Sequence, residues 1–293
     1  MDILVIQILN SIFYASILFL IAAGLSLIFG VMQIINLAHG SFYALGAYVT
    51  AWTIGAAAAA GAPVVALFLL LPAGAVVVAA VGAIVEPTIL RPLYKRREEY
   101  QLLATFALLL ILEDVMHFTF GGMPLTAGAV IDALGSIAVM GLRYPVYNLA
   151  VIGIGAAAAV FLWAFIYRTR FGVMLRATSQ DRRMAAALGL NVRWVYVQAF
   201  ALGCFMAGLG GAIVVPSQAA VLGMGVESLV LAFVVVVIGG LGSLEGALIG
   251  ALLVSFVRTA GIQFFPEVEL AVLYLIAVAV LLVRPTGLFA RTV

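Results

Sequence analysis

Few side chains in this chain could do chemistry. Within its apolar stretches the ionisable groups are His39, Glu86, Glu113, Asp114, His117, Glu227, Glu245 and Arg258. His39 has no carboxylate near it in sequence and only one other histidine in the chain, so it reads as a hydrogen-bonded turn residue rather than a metal ligand. The single cysteine, Cys204, excludes an intrachain disulfide and a cysteine cluster. A phosphate loop of the G-x-x-x-x-G-K-[ST] kind needs a lysine. The one lysine, Lys95, stands in Arg91-Pro-Leu-Tyr-Lys-Arg96, so the chain hydrolyses no ATP by that route. Ser243 paired with His39 or His117 has no spacing that supports a hydrolase. The expectation is a protein with no catalytic residue, metal or cofactor, whose polar groups bind and guide.

Those polar groups gather in two places. The chain is 66% hydrophobic and 9% charged, far from the half-apolar, quarter-charged average of soluble domains. It reads as an integral membrane protein, and the breaks in its apolar runs therefore stand out. One is Met32-Gln33-Ile34-Ile35-Asn36-Leu37-Ala38-His39-Gly40-Ser41, where Asn36 or Ser41 could cap a helix. The other is Gly239-Gly240-Leu241-Gly242-Ser243, followed at once by Glu245. Paired broken segments point to a transporter's binding site, because helix ends exposed inside protein can coordinate polar substrate groups. Asn36, His39, Gly40, Ser41, Gly239, Gly240, Gly242, Ser243 and Glu245 are accordingly the candidates for a substrate path or hinge. Glu245 is the best candidate for a buried charge; the other carboxylates look close to an interface.

The elements that must hold these residues are membrane helices. Apolar runs occupy about 3–30, 41–61, 63–90, 102–120, 146–167, 195–216, 227–258 and 268–284. In lipid each must satisfy its own backbone hydrogen bonds, so each is a helix. The fold class is an all-α, polytopic helical bundle of about eight or nine segments, some broken or re-entrant, in one domain over residues 1–293. The first run, with Asp2 and no basic leader, reads as a membrane helix rather than a cleaved signal.

Orientation follows from charge. Twelve of the fourteen Lys and Arg residues lie in Arg91–Arg97, in Arg168–Arg193, and at Arg284 and Arg291. Basic residues resist translocation, so loops 91–101 and 168–194 are placed inside, loop 121–145 outside, the N-terminus outside and the C-terminus in the cytoplasm. That count requires 227–258 to return to the side it started from. It is therefore read as two short or half-membrane helices, about 13 and 16 residues long, meeting at the glycines; the alternative is a single tilted helix with the C-terminus outside. A net charge of +2 gives no reason to expect nucleic acid. Two small-residue ladders, Gly203-Ala207-Gly211 and Gly242-Gly246-Gly250, fit internal helix packing or a like-with-like subunit contact better than a sliding surface along a path. Within the middle basic segment Met184 and Leu188 share a helical face with neighbouring alanines, and Gly189 would end that helix. Such a helix could rest on lipid headgroups or dock into a partner's groove.

Several stretches together resemble the permease subunits of branched-chain amino acid ABC importers, the Liv-type permeases. They are Gly24-Leu-Ser-Leu-Ile-Phe-Gly-Val-Met32 running into Asn36-Leu-Ala-His-Gly40; Arg176-Ala177 with Ala185-Ala-Ala-Leu-Gly189; Ala207-Gly-Leu-Gly-Gly-Ala212; Val237-Ile-Gly-Gly-Leu-Gly-Ser243; and Arg284-Pro-Thr-Gly-Leu-Phe289. The resemblance implies a multi-pass protein of the bacterial inner membrane. It implies pairing with a second homologous permease, two cytoplasmic ABC ATPases and an extracytoplasmic substrate-binding protein. It also implies that Arg176, Asp181, Arg182, Arg183, Ala186 and Gly189 lie in the coupling segment that sits on an ATPase. Importers of this general type often carry Glu-Ala-Ala…Gly there; this chain has Ala185-Ala186-Ala187 and Gly189 without the glutamate. The alternative reading is a stand-alone, ion-coupled secondary transporter, which Glu245 favours and the shortage of mid-membrane carboxylates disfavours.

Overall fold

The structure is a computed structural model that describes residues 2–264, 266–267, 269–284 and 287–289. The helices are α1 (Asp2–Met32), α2 (His39–Ala59), α3 (Val64–Leu70), α4 (Ala73–Val85), α5 (Glu98–Phe120), α6 (Ala129–Leu134), α7 (Val146–Arg168), α8 (Arg170–Gln180), α9 (Arg182–Ala187), α10 (Val192–Val214), α11 (Met224–Gly239), α12 (Leu244–Phe264) and α13 (Glu269–Val283). Among the described residues seven helical stretches are long and apolar enough to cross a membrane, and α11 and the Ala271–Val283 part of α13 are shorter apolar helices. This is the expected polytopic bundle. α3 and α4 belong to one such stretch, Val64–Leu93, bent at Leu71-Pro72 and widened into a π turn at Glu86–Leu90. Both irregularities sit beside prolines, whose missing N–H and bulky ring break the helical ladder.

α1 is the core of the bundle. It packs against α7, α10, α11 and α12, while α10 in turn packs on α2 and α4. Small residues make these approaches possible. Gly203 of α10 meets Ile28 and the Gly24 backbone, Gly211 meets the Tyr43 carbonyl, and Gly246 and Gly239 face each other backbone to backbone. Both ladders are thus spent on packing within the subunit, as their internal-packing reading expected.

One expectation needs correction, and one segment gains detail. The segment 121–145 that connects α5 to α7 holds α6 and a β-hairpin, β1 (Ser136–Val139) paired antiparallel with β2 (Leu142–Pro145). Met140 and Gly141, both at positive φ, form the two-residue turn that hairpins prefer. The second half of 227–258 is not short. α12 continues to Phe264, 21 residues in all, because Thr259 to Gln263 keep the helix going past Arg258, whereas α11 has 16.

Helix directions give the bundle two ends. One carries Tyr94–Arg97, α8, α9, the α11–α12 turn and residues 287–289, and is called the basic end here. The other carries the hairpin and the Gln7–Gln263 contact. Of the C-terminal arginines used to orient the chain, Arg291 lies outside the described residues.

Candidate functional site

The glycine turn is the centre of the basic end. α11 stops because Gly240 takes φ +105°, and Gly242 takes +80°, conformations that strain any L side chain. Ser243 then starts α12 as its N-cap, with its Oγ accepting from Gly246 N at 3.0 Å. The last carbonyls of α11 would be orphans. Two of them accept hydrogen bonds from residues near the C-terminus, Ile238 O from Leu288 N at 2.9 Å and Gly239 O from Phe289 N at 3.1 Å. Ser26 Oγ of α1 donates to Ser243 O at 3.2 Å, and Gly242 lies against Gly30 with no side chain between them.

Facing this turn is an elbow between α7 and α8. Thr169 leaves helical geometry and caps α8, its Oγ1 accepting from Gly172 N at 3.1 Å. Arg176 folds back: it donates to the carbonyl of Ile166 at the end of α7, and its guanidinium carbon lies 5.4 Å from the ring centre of Tyr167. Cations are favoured at helix C-termini, which explains the docking. Tyr167 Oη donates to Glu245 Oε1 at 2.8 Å, across to the first turn of α12. Between elbow and turn lies a cleft of about 460 Å³, lined by Ser26, Tyr167, Arg176, Gln180, Ser243 and Glu245 among others. The cleft holds both a guanidinium and a carboxylate on walls that mix polar and apolar residues.

α9 projects beside that cleft. Asp181 is its N-cap, with Oδ1 accepting from Arg183 N at 2.8 Å and Met184 N at 3.0 Å. These two bonds hold the Asp181 carboxyl below its ordinary range. Gly189, at φ +86°, ends the helix: its N–H donates to Ala186 O and that of Leu190 donates to Ala185 O, the paired bonds of a Schellman motif. Ala185 is buried and anchors the helix, while Arg182, Arg183, Met184, Ala186 and Leu188 are exposed. A second cleft, about 410 Å³, opens between α9 and Tyr94, Arg96 and Gln101.

The structure divides the sequence-derived candidates. Gly239, Gly240, Gly242, Ser243 and Glu245 come together at the basic end, joined there by Arg176. The first break does not join them. Asn36, His39, Gly40 and Ser41 are buried and packed. Asn36 Oδ1 accepts from Ala38 N, His39 Nε2 pairs with Ile21 O at 3.0 Å, and Ser41 Oγ donates to Leu109 O at 3.3 Å. Gly40 is pressed against the Gly225 carbonyl of α11. Along α1, Gly24 beside His39 and Gly30 beside Gly242 are six residues apart, so the breaks lie at depths about 9 Å apart.

Two residues escaped the sequence reading. Glu245 is only half-buried, and among the described residues the fully buried carboxylate is Glu86, at 0% exposure. It receives Arg91 Nη2 at 2.6 Å and Tyr94 Oη at 2.6 Å, which pins the irregular end of the α4 stretch. The spacing Glu86…Arg91 suits no regular helix face, so periodicity gave no signal. Tyr167 stood beside Arg168 like any interfacial aromatic.

A family model described as the branched-chain amino acid transport system permease component matches residues 7–281. The chain belongs to that family. Among relatives, this permease is 27% identical to the high-affinity branched-chain amino acid transport permease BraD of Pseudomonas aeruginosa, over 97% of this chain and 95% of that one. It is equally 27% identical to LivH of Escherichia coli K12, over 97% and 95%. The ribose import permease RbsC of the same bacterium is 28% identical over 84% of this chain and 76% of its own. The permease therefore has relatives with different named solutes.

Proposed function

We propose that this permease is the membrane-spanning subunit of an ABC importer that moves branched-chain or other small amino acids inward by alternating access. Two cytoplasmic ATPases drive it, a second homologous permease completes the path, and an extracytoplasmic binding protein delivers the solute. The observation that carries the reading is α9: a helix capped at both ends, anchored by Ala185 and presenting Arg182, Arg183, Met184 and Leu188 outward, beside a cleft that reaches the glycine turn. The exposed methionine and leucine offer an apolar contact and the arginines a charged one, a composition suited to a partner's groove. The family assignment supplies the class of partner.

In this reading the basic end is cytoplasmic, in line with its Lys and Arg content, and the hairpin end faces the binding protein. Nucleotide-driven closure of the ATPases displaces α9. The contacts around the α11–α12 turn change with it, and the bundle alternates between inward- and outward-open states. Only contacts that differ between those states can drive the change. Gly240 and Gly242 form the hinge, and Ser243 and Glu245 border the path on its cytoplasmic side.

Coexpression with the ATPases and the second permease, followed by purification on a tag carried by this chain, tests the assembly. Uptake of radiolabelled leucine into proteoliposomes that also contain the binding protein tests the solute. Failure of the ATPases to copurify under conditions that keep both permeases folded would sink the reading. Orientation is checked in a Cys204→Ala background: a cysteine placed at Leu188 should react with an impermeant maleimide only from the cytoplasmic side, and one placed at Met140 only from outside.

A further inference from the structure

We propose that Tyr167 is the coupling residue through which displacement of the ATPase-docking helix reaches the glycine turn, by way of its hydrogen bond to Glu245. This rests on the importer reading above and assigns it a transmission point.

On the sending side, α8 is fixed to the end of α7 by contacts that leave it little freedom. Thr169 caps it, Arg176 is bonded to the Ile166 carbonyl, Gly172 presses on that same carbonyl, and Phe165 and Phe171 pack with ring centres 5.3 Å apart. α9 follows after one residue, Asp181, whose side chain caps it. A push on α9 is therefore carried through α8 to the last turn of α7, where Tyr167 neighbours both the Arg176 guanidinium and Trp163.

On the receiving side, Glu245 is two residues past Ser243, in the first turn of α12. Gly242 meets Gly30, and Gly239 meets Gly246, through backbone, so the packing of that turn rests on glycines and hydrogen bonds rather than on interdigitated side chains. α7 packs on α1 and α8 and hardly on α12. The Tyr167–Glu245 bond thus crosses a gap between elements that otherwise meet little, along the wall of the cleft. A hydrogen bond to a carboxylate in a half-buried site is strong and directional. It can also be made in one state and broken in the other, as a switch between two packings requires.

The test uses the complete importer in proteoliposomes, reading solute imported per ATP hydrolysed and the stimulation of hydrolysis by loaded binding protein. Tyr167→Phe keeps the ring under Arg176 and removes only the hydroxyl. It should leave stimulation within about twofold of wild type while lowering imported solute per ATP about tenfold, the size expected for one hydrogen bond to a carboxylate. Glu245→Ala should do the same. Glu245→Gln, which still offers an acceptor oxygen, should retain most of the ratio. Because the hydrogen bond is shared, the effects of Tyr167→Phe and Glu245→Ala should be less than multiplicative in the double variant. A Tyr167→Phe importer with the wild-type ratio, or single effects that multiply in the double variant, would overturn the proposal alone. Wild-type uptake that runs without hydrolysis would overturn the importer reading and this proposal with it.

Discussion

The permease interrupts its helices at two polar segments, and the two are built on opposite terms. At residues 33–41 the side chains carry the structure: Asn36, His39 and Ser41 turn inward, bond to Ala38, Ile21 and Leu109, and are shut off from solvent. At 239–245 the side chains are largely missing. Glycines hold the backbone at positive φ or against another backbone, and the polar residues that follow border a cleft. The first break is held by its own side chains, whereas the second is held by backbone bonds and glycine contacts to other elements, so its arrangement depends on what those elements do. The first reads as a fixed support and the second as the moving part.

The largest effect should come from overfilling the fixed one. A side chain on Gly40 would run into the Gly225 carbonyl and the Leu229 side chain. Neither can retreat without moving α11, so Gly40→Leu should cost ~3 kcal/mol or more and remove most folded permease from the membrane. Fluorescence-detected size exclusion in detergent would read this as loss of the monodisperse peak. Gly240→Leu at the other break sharpens the contrast. It faces a strained φ of +105° and the nearby Gly287, the backbone strain costing about 1–3 kcal/mol. It should leave a folded protein whose transport is lost. Equal stability loss at both positions would erase the distinction between support and hinge.

A third polar cluster extends the comparison. Glu86 is buried with Arg91 and Tyr94 in the widened end of the Val64–Leu93 stretch, and it behaves like the first break: specific, paired and enclosed. Removing the partner strands a buried carboxylate. Arg91→Ala should therefore destabilise the permease by about 3 kcal/mol, and Glu86→Gln added to it should recover part of that loss by removing the unpaired charge. Apparent melting midpoints of the two variants, compared at one heating rate, decide it.

The docking surface should be the reverse case, with high cost to function and little to the fold. Reversing Arg182 and Arg183 to glutamate changes exposed side chains on α9, whose cap uses the backbone N–H groups of Arg183 and Met184 and neither guanidinium. Stability should stay within about 0.5 kcal/mol of wild type. Binding-protein stimulation of hydrolysis should fall sharply while membrane insertion is unchanged. Unaltered stimulation would remove α9 from the coupling path.

Much of this was legible because membrane physics writes large signals. Apolar runs gave the helices, and basic clusters marked the end that now gathers α8, α9 and the glycine turn. Gly189 announced its helix end by type and position, since αL geometry favours glycine. Gln33 ends α1 at φ +56° without being glycine, so nothing in its identity marked the stop. Depth was illegible too. Asn36 and Ser243 look alike as polar residues beside apolar runs, and only packing makes one buried and the other a lining residue. The pairing of Tyr167 with Glu245 joins positions 78 residues apart, beyond the reach of any local pattern. The family resemblance groups Arg176 with Asp181 to Gly189, yet helix geometry turns it back toward α7 and into the cleft.

The smallest effect expected concerns Asp181, and it separates capping from charge. Backbone donors at Arg183 and Met184 stabilise its ionised form, so its folded-state value is lowered. A lowered carboxylate contributes stability that is fully present above its unfolded value, near 3.8, and is lost as pH falls through the lower folded value. From about pH 8 down to about pH 5 the cap is thus constant, and any pH dependence of coupling in that window must come from other groups. Asp181→Asn keeps an oxygen that can accept both bonds, so α9 should persist and coupling should be nearly normal. Asp181→Ala removes the acceptor: the amides of Arg183 and Met184 should exchange with deuterium several-fold faster, and stimulation of hydrolysis should fall modestly. If Asn and Ala behave alike in exchange and in coupling, the carboxylate is serving the partner through its charge, and the support it gives to α9 is incidental.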